Sequence, residues 1–299
     1  MFLVIVLYAV LASTFIFAKK AVSLANPCFL VGIRMILAGL FLLGYYFIFD
    51  RKKLFIKYEH WLLFLKTSLF HIYIMFIFDL WSLQYVSALK STLIFSSTPF
   101  IAAVLSYFLL KERLSTKKII GVIIGLVGLV PVFMAQAGGK EAAIELAHIS
   151  LPEIVLFFAV ISGAYAWFLV KDLMVIGYSF GIINGVTMLT GGILSMVTAG
   201  FVEGFSHPIK DIVPFIGWLL LLILAANVVF YNLYGFLLQR YSITFITFAG
   251  WLCPFFATFF EWFFMGGKIT WHYFASLILV IIALFIFCQD ELKLKTSDM

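Results

Sequence analysis

Ten stretches of mostly apolar residues fill nearly all of this 299-residue chain, spanning 2–24, 26–49, 59–83, 86–110, 117–135, 152–174, 179–201, 212–237, 242–265 and 270–288. A helix rises 1.5 Å per residue, so about 20 apolar residues cross a bilayer, and each stretch is close to or above that length. Composition agrees: 65% of residues are hydrophobic and 11% charged, against about 25% charged in a soluble domain. The expectation is an all-α polytopic membrane protein, solvated largely by the lipid bilayer. Turns between the stretches are short, which makes successive helices antiparallel neighbours. No basic n-region or A-x-A-like site precedes Lys19, so the first stretch is expected to stay as a span. Cys28, Cys253 and Cys288 show no paired or metal-ligand spacing and read as buried apolar residues, with no cofactor and no metal expected.

A formal net charge of +6 comes from basic residues scattered between the stretches, which argues against nucleic acid as a partner. Their positions report orientation. Arg51, Lys52, Lys53 and Lys57 follow the second span, and Lys111, Arg113, Lys117 and Lys118 follow the fourth, whereas the loops after the fifth, seventh and ninth carry Lys140, Lys210 and Lys268. Both termini are therefore expected in the cytoplasm.

The chain also repeats itself. Pro99-Phe100-Ile101-Ala102 recurs as Pro254-Phe255-Phe256-Ala257, an offset of 155 residues (254 − 99), and Tyr8-Ala9-Val10-Leu11 matches Phe158-Ala159-Val160-Ile161 at an offset of 150. A duplicated five-helix unit explains both. Five spans is an odd number, so the second copy enters the membrane upside down. The expected organisation is a first repeat over 1–135, a periplasmic linker over 136–151, a second repeat over 152–288 and a cytoplasmic tail over 289–299. Inverted repeats of this kind are a device of secondary transporters, with the substrate site between the halves.

Gly32-Ile-Arg-Met-Ile-Leu-Ala-Gly-Leu40 in the second span, Leu110-Lys-Glu-Arg-Leu114 closing the Pro-containing fourth, and Gly121 with Gly125 in the fifth resemble the drug/metabolite transporter superfamily of the EamA type. The resemblance covers the whole chain and implies two five-helix repeats and alternating access. One departure stands out: Glu112 corresponds to Gly267 in the second repeat, so the loop after the ninth span lacks the acidic residue. The segments His71–Gln84 and Ala159–Phe168 are further similar to the S-adenosylmethionine/S-adenosylhomocysteine transporters of obligate intracellular bacteria. That likeness implies exchange of these two small molecules across a bacterial inner membrane.

Such a substrate has a carboxylate, an ammonium, a sulfonium and a flat adenine. Ionisable groups inside spans are costly and face a cavity or a partner. Arg34, with Lys90 or Lys19, suits the carboxylate, Arg best for its planar fork; Asp79 or Glu261 suits the ammonium. Aromatic faces attract a sulfonium and stack adenine, and the candidates are Tyr165, Trp167, Tyr231, Tyr234 and Trp251, with Trp81 and Tyr85. Asn227, Tyr231 and Tyr234, spaced by four and three, share one helix face. Structural readings stand beside these: an Arg34–Asp79 ion pair, Lys19 and Lys20 snorkelling to the interface, Trp81 and Tyr85 in an aromatic belt, and Asn184 bonding a neighbouring helix. Pro99 and Pro254 interrupt equivalent helices and mark a hinge, or ordinary kinks. His71, without a carboxylate one turn away, gives no strong sign of proton coupling.

Alternatives are a same-fold carrier of another metabolite, such as an amino acid exporter or a nucleotide-sugar carrier, and a membrane-embedded enzyme. His-Glu-x-x-His does not occur, and no Ser or Cys stands with a His and an acid at an interpretable spacing, so no enzymatic site is expected.

Overall fold

Lipid offers a backbone no hydrogen-bond partner, so the chain must satisfy its amides internally. The computed structural model describes residues 2–83, 85–86, 91, 94–111, 115–137, 150–265 and 271–297. They form α1 (Phe2–Leu24), α2 (Pro27–Phe49), α3 (Trp61–Ser68), α4 (Met75–Leu83), α5 (Thr98–Leu110), α6 (Thr116–Ala137), α7 (Leu151–Ile176), α8 (Phe180–Val202), α9 (Ile212–Leu222), α10 (Tyr231–Leu238), α11 (Ile243–Ala249), α12 (Cys253–Met265) and α13 (Trp271–Ser297). No strand occurs among the described residues, only one backbone bridge between Ala25 and Ile209. Seven helical stretches there are long and apolar enough to cross a membrane: α1, α2, Tyr58–Ser82, α7, α8, Ile212–Leu238 and Ile243–Phe260; the apolar helices Thr98–Leu110 and Trp271–Phe287 are shorter. The last helix runs past the expected end of its span at 288 and takes the charged tail to Ser297 with it.

Among the described residues, three α-helices pass into the next through a π or 3₁₀ turn. A π-helical turn, Leu69–Ile74, joins α3 to α4, and a second, Ile223–Phe230, joins α9 to α10. A 3₁₀ turn, Gly250–Leu252, joins α11 to α12. The π turns stand in register at the repeat offset, because 69–74 shifted by the 155 residues that separate Pro99 from Pro254 falls within Ile223–Phe230.

The chain divides into two compact units. One comprises Ser13–Tyr85 and Val155–Phe236; the other comprises Met1–Ala12, Val86–Ile154 and Leu237–Met299. In the first, α2 and α8 pack antiparallel through glycines. A Cβ on Gly39 would lie 2.7 Å from Leu189 N and 2.8 Å from Gly185 O, and one on Gly192 would lie 2.8 Å from Ile36 N. These contacts are reciprocal: Gly39 and Gly192, like Ile36 and Leu189, are 153 residues apart (192 − 39). One end of the pair is tied by Asn26 N donating to Pro208 O (3.0 Å) and Lys210 N to Leu24 O (2.8 Å). There the Glu203 carboxylate accepts from the first amides of α2, Cys28 N at 2.7 Å and Phe29 N at 3.0 Å, where the helix dipole favours a negative charge. At the other end Gly177, at φ 110°, turns the chain out of α7, and the Tyr178 hydroxyl accepts from Lys57 N at 3.1 Å and lies 2.8 Å from His60 Nδ1.

In the second unit α6 packs antiparallel on α13. A Cβ on Gly121 would meet Ala283 O at 3.1 Å, and one on Gly128 the Leu279 side chain at 2.8 Å. The Trp251 ring fills the notch left by Gly125, 2.1 Å from where a Cβ would stand. Its Nε1 donates to Ser96 O (2.9 Å), and these two residues are themselves 155 apart. The Tyr8 hydroxyl donates to Ile246 O.

Where backbone is the obstacle, a methyl group cannot be accommodated by a rotamer change. Gly39→Ala is expected to lower stability by about 1–3 kcal/mol, the range for overpacking. Gly44→Ala, where nothing lies within 4 Å, is expected to be neutral or slightly stabilising because Ala is the better helix former. Thermal unfolding of the two variants in detergent checks the contrast.

Candidate functional site

Polar side chains in the α2–α8 unit collect where its helices are interrupted. A π turn widens the helix and loosens its ladder, and such turns concentrate at functional sites. The loosened carbonyls are answered nearby: Ser162 Oγ donates to Phe70 O at 2.7 Å and Asn232 Nδ2 to Val228 O at 2.7 Å. The first π turn carries His71 and the second Asn227, both buried.

Arg34 lies buried on α2 at 8% exposure. Its Nε donates to Asn227 Oδ1 at 2.9 Å, and its guanidinium carbon stands 5.1 Å from the centre of the Phe76 ring. The Asn227 Nδ2 faces two sulfurs, Met35 Sδ at 3.0 Å and Met188 Sδ at 3.6 Å. Beside this pair runs an aromatic wall. Trp167 stacks on Tyr234 with centroids 3.7 Å apart and 12° between planes, and lies 5.8 Å from Tyr231. The His71 ring meets Trp167 edge-on at 4.6 Å and Tyr231 at 5.1 Å. Phe180 closes the wall, parallel to Trp167 at 6.4 Å, and a Cβ on Gly235 would strike its ring at 2.1 Å.

Six of the expected site residues therefore fall in one unit and in two chains of contact: Arg34 with Asn227, and Trp167 with Tyr231 and Tyr234, while Asp79 lies near enough to Arg34 to interact with it electrostatically. No salt bridge closes between Arg34 and Asp79; Arg34 takes an amide partner instead, and Asp79 Oδ1 is buried without a hydrogen-bond partner among the described residues. Tyr165 joins the same neighbourhood edge-on to Phe70 at 5.1 Å. Trp251 is buried in the other unit against Ser96 and Phe248. Glu261 lies in α12 with its side chain outside the description, and Lys90 is outside the described residues altogether. Pro99 and Pro254 open α5 and α12, and the carbonyl four residues before Pro99, that of Phe95, accepts from Thr98 Oγ1 at 2.5 Å.

One residue departs from its sequence reading. The Asn184 amide was expected to bond a neighbouring helix, yet both its polar atoms are buried without a partner among the described residues. His71 belongs to the wall although it has no carboxylate one turn away. Among the described residues no group of three His, Cys, Asp or Glu comes together to hold a metal ion. The cluster instead offers one cation, one carboxylate, amides and aromatic faces, which is the equipment for holding a charged organic solute. Asn227→Leu removes the acceptor from a buried guanidinium and is expected to cost about 1–3 kcal/mol. Asn232→Ala, whose amide only reaches back to its own helix, is expected to cost less; thermal unfolding in detergent separates them.

Comparison with known proteins adds family and fold. The EamA-like transporter family matches residues 1–134 and 150–288. A protein of Chlamydia muridarum named S-adenosylmethionine/S-adenosylhomocysteine transporter is 31% identical over 258 residues, 85% of this chain and 80% of its own length. Its namesake in Chlamydia trachomatis serovar L2 is 30% identical over the same share of this chain and 78% of its own. A solved crystal structure superposes with a TM-score of 0.74 over 98% of this chain and 96% of its own; at 16% identity that likeness is one of fold. By its two matched segments and its apolar helices, this chain belongs to the EamA-like transporter family and is a multi-pass membrane transporter of that type.

Proposed function

We propose that this transporter takes up S-adenosylmethionine in exchange for S-adenosylhomocysteine across a bacterial inner membrane, by alternating access of two inverted five-helix repeats. The observation that carries the substrate is the composition of the buried cluster, read together with the names of the Chlamydia relatives. Arg34 suits the substrate carboxylate and Asp79 its ammonium. The Trp167, Tyr231 and Tyr234 faces suit the sulfonium, which aromatic rings attract by roughly 0.5–2 kcal/mol without a fixed counter-charge. S-adenosylhomocysteine shares the two charged ends and the base, so one site serves both directions.

Support for the inverted arrangement comes from reciprocal contacts. When residue i of one segment meets j of the other, and their equivalents meet in exchange, a two-fold relation is at work. The antiparallel α2–α8 glycine contacts have that form, and the Ser96–Trp251 bond joins two equivalent positions directly. The loops after the first and seventh spans bond to each other at Ala25 and Ile209, as do those after the second and sixth at Lys57 and Tyr178. Each pair has one side of the membrane in the ten-span count with both termini cytoplasmic.

Cells expressing the chain are expected to accumulate labelled S-adenosylmethionine, and internal S-adenosylhomocysteine is expected to raise the rate. Arg34→Gln and Asp79→Asn are expected to lower uptake at least about tenfold, the loss of one charge-assisted contact of roughly 1.5–3 kcal/mol, with the variants still present in the membrane. Background uptake of both compounds sinks the substrate reading, and competition by an amino acid or a nucleotide sugar would transfer it to another metabolite.

A further inference from the structure

Six side chains of the α2–α8 unit hold buried polar atoms with no hydrogen-bond partner among the described residues: Asp79 at Oδ1, Ser82 and Ser179 at Oγ, and three others, His71 at both ring nitrogens, Asn184 at both amide atoms and Tyr234 at its hydroxyl. Buried polar atoms are nearly always bonded, so three such groups in one neighbourhood point to something they are kept for. Asn184 is fully buried on α8, and its direction follows from its own helix. Phe180, one turn before it, lies against Trp167 and Gly235. Met188, one turn after it, lies against Asn227. Gly191, two turns on, abuts Ile72, the neighbour of His71. Residues four and seven apart share a helix face, so Asn184 stands on the face of α8 that meets Trp167, Asn227 and Ile72.

We infer that Asn184, with His71 beside it, reads the hydrogen-bonding edge of the aminopurine of the substrate while the Trp167 wall takes the face of the ring. The inference rests on the S-adenosyl reading above and deepens it. An aminopurine presents a donor, its 6-amino group, next to an acceptor ring nitrogen. A primary amide offers an acceptor and a donor at the matching spacing, the bidentate pairing that asparagine makes with adenine. A neutral imidazole supplies one further donor and one acceptor. Aromatic faces stack any base and do not choose among them, so edge contacts must supply the choice. The two ends of the substrate are then read separately: Arg34 and Asp79 hold the amino-acid charges, and Asn184 identifies the base. Gly32 and Met35 match Gly185 and Met188 at an offset of 153 (185 − 32), which puts Asn184 opposite Val31 of the first repeat. The amide thus belongs to one half alone.

The test uses the full chain in proteoliposomes with labelled S-adenosylhomocysteine. Competition by the unlabelled compound is compared with competition by S-inosylhomocysteine, in which a carbonyl replaces the 6-amino group and N1 gains a hydrogen, so that the edge beside N7 offers two acceptors and no donor. The wild-type protein is expected to favour the adenosyl compound by about tenfold or more, the discrimination typical of a bidentate amide contact. Asn184→Ala is expected to bring the ratio near one, because the adenosyl compound then competes about as weakly as the inosyl compound. Asn184→Asp keeps the shape and loses the donor; it carries the test if the alanine variant does not fold. A wild-type ratio near one, or variants that keep the full ratio, overturns the inference and leaves the S-adenosyl reading standing. Absence of uptake by the wild-type protein overturns both.

Discussion

A guanidinium buried in a lipid-solvated bundle must find its hydrogen-bond acceptors in the protein, and Asn227 Oδ1 supplies one to Arg34 Nε here. Much of the α2–α8 unit is a precondition of that bond. Asn227 is placed by the π turn that joins α9 to α10. Its other face is set by Met35 and Met188, soft sulfur acceptors that tolerate a close amide. Those two methionines reach the same amide because α2 and α8 approach to backbone contact at Gly39 and Gly192. A single added methyl at either glycine moves both sulfurs, and through them the partner of Arg34.

The same dependence explains why polar residues gather at breaks in the helices. An unbroken helix satisfies its own carbonyls and shows the bundle only side chains. Each interruption loosens carbonyls, and in lipid these must be met at once. Ser162 meets Phe70 O, Asn232 meets Val228 O, Thr98 meets Phe95 O and Trp251 meets Ser96 O. The π turns leave room for His71 and Asn227 in the interior, and the Pro99 and Pro254 breaks are joined to each other's neighbourhood through Trp251. Irregular backbone at membrane depth is tolerated where protein covers it, and that is also where a solute can be bound out of contact with lipid.

How much of this the sequence disclosed follows from the kind of signal each part leaves. Long apolar runs and short polar turns have a period and a length, so the helical class and most span limits, such as α2 ending at Phe49, could be read directly. Arg34, Asp79, Trp167, Asn227, Tyr231 and Tyr234 were legible as candidates because charges, amides and large aromatics are conspicuous in an apolar run. Their pairing was not. An Arg and an Asp on adjacent spans suggest an ion pair, yet whether they meet depends on helix rotation, and a π turn shifts that rotation by a residue without any compositional mark. The surroundings of His71 and Asn184 were hidden for the same reason: a lone polar residue declares its cost but not the direction it faces.

The repeat offset then separates residues that recur from residues that do not. Gly32, Met35 and Gly39 match Gly185, Met188 and Gly192, and these shared residues bring the helices together. Arg34 stands opposite Thr187, whose hydroxyl turns back to Ile183 O of its own helix at 2.8 Å. At the longer offset Asp79 stands opposite Tyr234, and Phe76 opposite Tyr231. A ligand with a carboxylate at one place, an ammonium at another and a base beyond them has no two-fold symmetry, and a site that repeated itself would leave one copy of each charge unanswered in low dielectric. Matching residues can be duplicated because packing is satisfied the same way twice. Charges cannot; on the proposed substrate reading the chain therefore keeps its cation and carboxylate in the first half of the sequence and its amide and most of its aromatic wall in the second, with both sets inside the α2–α8 unit.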